Sequence, residues 1–131
     1  MRILIDIQIF IWAAMESGNL SLQAREIILN ATDVFVSAAS IWEIAIKARL
    51  GRLEGDPREF VDAIEQSGFK ELAISARHAA AVHELPLYHR DPFDRILIAQ
   101  TLSEPLRFLT ADKTLGQYSD LVITTQRLRN P

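Results

Sequence analysis

Short apolar runs separated by longer stretches of helical pattern set the tightest limit on what this chain can fold into. Ile3-Leu4-Ile5 and Val34-Phe35-Val36 are continuous rather than alternating, as expected of strands covered on both faces. The reading places strands at Arg2–Ile5, Val34–Val36, Lys70–Ile74, Arg107–Leu109 and Leu121–Ile123. Helices are expected over Ile9–Met15, over Leu22–Asn30 behind Ser21, and from Ser40-Ile41-Trp42-Glu43 to about Leu50 with Gly51 as the stop. Three more follow: Asp56-Pro57 to near Gly68, Ser75 to about Leu85, and Asp91-Pro92 through Leu102. Asp112 opens a short helical turn. Strand–helix alternation of this kind predicts an α/β protein, an α/β/α sandwich around a mostly parallel sheet of about five strands. No repeat or linker interrupts residues 1–131, so a single domain is expected.

Composition narrows the chemistry. There is no cysteine among the 131 residues, which excludes disulfides, zinc–thiolate sites and thiol catalysis and is compatible with a cytoplasmic location. The apolar N-terminus carries Asp6 within the run and is too short to span a bilayer, so no membrane association is expected. The formal net charge is −3, against the basic excess usual in nucleic-acid binders. Setting aside four acids that could hold cations brings the remainder close to neutrality. The charge neither excludes nor suggests a phosphate-backbone ligand.

Those four acids are Asp6, Glu43, Asp94 and Asp112. Each falls at an expected strand end or in the first turn of an expected helix, and in a parallel sheet those places share the carboxyl edge. Converging anions raise one another's pKa, and the usual remedy is a hard divalent cation on oxygen ligands. Each acid also has a simpler use. Ser40-x-x-Glu43 matches a capping box, Asp112 can cap its own turn, and Asp94 suits the positive end of a helix dipole. Asp6, ending an apolar strand, is the hardest to explain as a cap. Asp91 competes with Asp94 but is better placed as a cap or supporting group.

Other residue types offer less. His78, His83 and His89 match no metal-binding spacing and read as surface or loop histidines. Trp12, Trp42 and the phenylalanines read as core or dimer contacts. No glycine-rich phosphate loop is present. A phosphotransfer reading of Asp6 lacks its second aspartate, since Gln8 stands there. Lys47, Arg49 and Arg52 form a basic stretch that reads equally as a solvated helix face; Arg90, Arg95 and Lys113 lie near the acids in sequence, and Arg95 could instead pair with one of them. Arg127 and Arg129 in the tail Gln126–Pro131 are further candidates for contact with a second chain or with a phosphate-backbone ligand.

The strings ILIDIQIFIWA, VFVSAASIWEIAIKARLGRL, LPLYHRDPFDRILIAQ and FLTADKTL together resemble PIN-domain ribonucleases of the VapC toxin type, in order and over essentially the whole chain. The resemblance implies a PIN-like fold and a Mg²⁺- or Mn²⁺-dependent endoribonuclease that cleaves cellular RNA, often tRNA or ribosomal RNA. It also implies inhibition by a VapB-type antitoxin and a homodimer. Motif by motif, it assigns the catalytic and metal-binding acids to Asp6, Glu43, Asp94 and Asp112, with Asp6 and Asp94 as the principal ligands and Glu43 and Asp112 completing the site. Asp91, Arg95 and Thr110 stand as supporting residues, and Lys47, Arg49, Arg52, Arg90 and Lys113 as RNA contacts. The first motif departs from the family, with Ile7 where a threonine or serine is usual. That hydroxyl helps orient the first carboxylate, so a second reading is a PIN scaffold that binds RNA or antitoxin without efficient cleavage.

Overall fold

Strand β1 (Arg2–Ile5) is the axis of the molecule, pairing in parallel with β2 (Asp33–Ser37) on one side and β4 (Arg107–Thr110) on the other. β3 (Lys70–Leu72) extends the sheet beyond β2 and β5 (Val122–Thr124) beyond β4, giving the order β3-β2-β1-β4-β5 with every pairing parallel. The computed structural model describes residues 1–125, and the tail with Arg127 and Arg129 lies outside them. The helices are α1 (Ile7–Ala14), α2 (Leu22–Asn30), α3 (Ala38–Arg49), α4 (Pro57–Gln66), α5 (Ala76–Ala81) and α6 (Pro92–Ser103). Short 3-10 turns cover Val82–Glu84 and Lys113–Tyr118.

Because successive strand residues face opposite sides, β1 feeds two cores. Ile3 and Ile5 join Val34, Val36 and Leu109 under α1, α3 and α4, with Phe10, Ile44, Phe60 and Ile64 filling that layer. Leu4 joins Phe108 on the other face, beneath Leu97, Ile98 and Ala99 of α6. This is the expected α/β/α layering.

Several expected boundaries move. α1 begins at Ile7 rather than Ile9, because Asp6 Oδ1 accepts from the Ile9 N–H at 2.8 Å and caps it. α3 begins at Ala38, not Ser40: Ser37 is extended and its hydroxyl accepts from the Ala39 N–H at 3.0 Å. Ser40 therefore lies inside the helix, buried, and there is no Ser40–Glu43 capping box; Glu43 sits in the second turn rather than the first. β3 ends at Leu72, and the helix expected through Leu85 changes to 3-10 geometry after Ala81. At the amino edge, exposed Lys70 reaches Asp33 at 2.7 Å and holds its carboxyl below the usual range.

Candidate active site

The chain places β2 and β3 to one side of β1 and β4 and β5 to the other. That reversal at β1 is the switch point where open parallel sheets bind ligands, beyond the strand carboxyl ends. Pairing Ile5 with Leu109 puts Asp6, the next residue along β1, beside Thr110 at the end of β4. The Thr110 hydroxyl donates to Asp6 Oδ2 at 2.5 Å and accepts from the Asp112 N–H at 3.0 Å. One threonine thus ties the first acid to the fourth. Both Asp6 oxygens are engaged, since Ile9 holds the other.

Asp94 enters from the first turn of α6. The helix starts as expected at Asp91, whose carboxylate accepts from the Phe93 N–H at 2.8 Å, with Pro92 next. Asp112 caps the 3-10 turn, its Oδ1 accepting from the Thr114 N–H at 3.0 Å and the Thr114 hydroxyl at 2.6 Å. Its capping use and its place beside the other acids therefore coexist. Glu43 reaches the same region from α3 and pairs with Lys47 at 3.0 Å.

The electrostatics register this crowding. Asp94 is pushed up to about 7, chiefly by burial and then by the negative charges of Asp91, Asp6, Glu43 and Asp112. Asp6 is raised to about 6, again mainly by burial, with Asp112 and Glu43 adding to it. Its hydrogen bonds from Thr110 and Ile9 oppose the rise. The structure therefore brings all four acids within range of one another, and among the described residues no lysine or arginine pairs with Asp6 or Asp94 as Lys47 pairs with Glu43.

His89 also belongs here, although it matches no metal-binding spacing. Its Nδ1 lies 3.7 Å from Asp94 Oδ2 and its Nε2 3.6 Å from Asp112 Oδ2. One ligand atom from each of His89, Asp94 and Asp112 can be chosen so that all three lie within 4.8 Å of one another, so a cation held by Asp94 and Asp112 would lie beside the His89 ring. The donors around it are mostly carboxylate oxygens, the chemistry of a hard divalent ion. His78, by contrast, is buried and completes a capping box with Ser75, so it is not a surface histidine; His83 is exposed.

The basic residues divide. Among the described residues Arg95 pairs with no acid. Its guanidinium donates to the carbonyls of Val82 at 3.1 Å and Pro86 at 2.9 Å, with longer bonds to Leu85 and His89 at 3.4 Å. Five rigid donors suit such a cluster of carbonyls, and Arg95 acts on the loop carrying His89. Lys47 is engaged by Glu43. Arg49 is exposed at the far end of α3, about 9 Å beyond Glu43 along the helix, and Arg52 follows it, also exposed. Arg90 and Lys113 are exposed next to site residues. Trp12 is buried, whereas Trp42 is 62% exposed and packs edge-on against Phe93 at 5.1 Å.

Comparison with known proteins agrees with this architecture. No curated protein sequence matches the chain. Solved structures do. The VapBC2 complex of Rickettsia felis bound to a DNA fragment from its promoter aligns with a TM-score of 0.68 at 11% identity, covering 97% of this chain and 99% of that one. A toxin–antitoxin complex from Klebsiella pneumoniae gives 0.65 at 18% identity, with 92% and 95% covered. FitAcB from Neisseria gonorrhoeae gives 0.66 at 17%, with 94% and 96% covered. These likenesses speak to the fold. The PIN domain family model matches residues 3–121, and with that the chain belongs to the PIN domain family.

Proposed function

We propose that this protein is a metal-dependent endoribonuclease of the VapC toxin type, acting on RNA such as tRNA or ribosomal RNA in the cytoplasm. The observation that carries the reading is the meeting of Asp6, Glu43, Asp94 and Asp112, with burial and the neighbouring charges raising Asp94 to about 7. Such an arrangement is costly without a cation. Asp94 and Asp112 are best placed to hold Mg²⁺ or Mn²⁺, with Asp6 and Glu43 completing the set directly or through water. When bound, the ion supplies Lewis acidity, making water more acidic and offsetting charge on the phosphate. The chain's own contribution is to fix the acids: Thr110 and Ile9 orient Asp6, Thr114 orients Asp112, and Asp91 anchors the turn that carries Asp94. A carboxylate of the set accepts the proton from the attacking water. The structural likeness to toxin–antitoxin complexes supports a VapB-type antitoxin as partner, and a homodimer is proposed with it.

The alternative of an impaired scaffold rests on Ile7. Thr110 weighs against it, because Asp6 has a hydroxyl partner from another strand. Incubating the protein with RNA and Mg²⁺ or Mn²⁺ is expected to give cleavage that EDTA stops and that Asp94→Asn lowers by roughly 100-fold or more, as loss of a directly acting group does. Equal RNA decay with wild type and variant would remove the nuclease reading.

A further inference from the structure

The His89 ring lies between Asp94 and Asp112, and what it serves there can be read from its tautomer. The inference rests on the nuclease reading above. A backbone N–H can only donate, and that of Asp91 reaches His89 Nδ1 at 3.2 Å. Nδ1 therefore offers its lone pair, and the ring proton belongs on Nε2. Nε2 stands 3.6 Å from Asp112 Oδ2, too far for a hydrogen bond. The ring itself is held in place: the His89 N–H donates to the Tyr118 hydroxyl at 2.9 Å, and its carbonyl accepts from Arg95.

A phosphodiester entering this site meets four carboxylates, so a protein donor on its non-bridging oxygens has particular value. Of the cations nearby, Arg95 is turned to loop carbonyls and Lys47 to Glu43, while Arg90 and Lys113 are exposed next to His89 and Asp112. Coordination of a cation by Nε2 would require moving the ring proton to Nδ1, against the Asp91 N–H. We propose that His89 is a substrate-binding residue whose Nε2–H donates to a non-bridging oxygen of the scissile RNA phosphate.

The test begins with ¹⁵N-labelled wild-type protein loaded with Mg²⁺, followed by NMR of the His89 ring while uridylyl-3′,5′-uridine is added. The expected result is a proton on Nε2, a bare Nδ1, and an Nε2 resonance that moves with the dinucleotide. A proton on Nδ1 overturns the proposal, as does an Nε2 resonance that stays fixed while neighbouring amides respond. Kinetics on a random-sequence RNA pool supply the second arm. His89→Ala should lower kcat/KM roughly tenfold or more, as loss of a hydrogen bond to a charged group does, while His89→Gln, which keeps an N–H near the Nε2 position, should recover most of it. A glutamine variant as poor as alanine would point instead to proton transfer or metal ligation and sink the donor role. The two readings fail differently. Cleavage lost in Asp94→Asn but unchanged in His89→Ala removes only the histidine proposal. An Nε2 response without any RNA cleavage leaves the phosphate donor standing and removes the nuclease.

Discussion

At the scale of single residues, the departure at Ile7 and the contact at Thr110 belong to one account. Ile7 is the first residue of α1 and is 9% exposed, so its side chain is part of the core beneath the site. Asp6 nonetheless has a hydroxyl partner in Thr110, which reaches it across the strand pairing. Ile7→Thr is therefore expected to leave the cleavage rate essentially unchanged while costing about 1 kcal/mol of stability through lost buried methyl groups. Thr110→Val should do the reverse, lowering activity or metal affinity on the order of 10–100-fold with little volume change. Paired cleavage and thermal-melting measurements separate the two, and a clear gain in rate from Ile7→Thr would contradict this account. The Asp6–Thr110 contact was not legible in the sequence. It joins residues 104 apart, and only the register Ile5 to Leu109 places them side by side. His89 escaped for the same reason, since a histidine between two distant aspartates leaves no local spacing to find.

At the scale of elements, the sequence made the existence and order of the strands and helices plain, because apolar runs and caps are local signals. Boundaries suffered where two caps competed. Ser37 and Ser40 both suit a helix start, and Ala38-Ala39 between them favour helix strongly, so the earlier serine caps and Glu43 falls a turn deeper. The loop between α5 and α6 gave no local clue to its anchor. There Arg95, half-buried, gathers the carbonyls of Val82, Leu85, Pro86 and His89. A lysine keeps the charge but cannot reproduce the fork. Arg95→Lys is thus expected to destabilise the protein by about 2 kcal/mol and to speed amide exchange over residues 82–90 more than in β1 or β4. Exchange rates unchanged in that loop would mean that Arg95 does not organise it.

At the scale of the whole molecule, the parallel sheet concentrates negative charge at one edge, and the fold bears a cost that should be visible in its stability. Asp6 and Asp94 have an ordinary carboxylate value of 3.8 but lie at about 6 and about 7 in the folded protein. Between those values the folded state retains protons that the unfolded chain has released. Stability from these groups is therefore full below about pH 4 and declines as pH rises through 6 and 7. Asp33 runs the opposite way, its pKa lowered by Lys70, so its contribution is lost only on acidification; being largely solvated, it has little weight. The metal-free protein should consequently melt at a higher temperature near about pH 5 than near about pH 8, the reverse of a protein whose acids are all paired. The divalent cation proposed for this site would bind the ionised acids, so saturating Mg²⁺ or Mn²⁺ should raise Tm more at the higher pH than at the lower. Calorimetric scans at both pH values, with and without metal, check both halves of the expectation. A metal-free Tm that does not fall across this range would mean that Asp6 and Asp94 do not share a desolvated site. The expected pattern, a loss on ionisation that the cation reverses, would tie the charge gathered by the sheet to the ion proposed to relieve it.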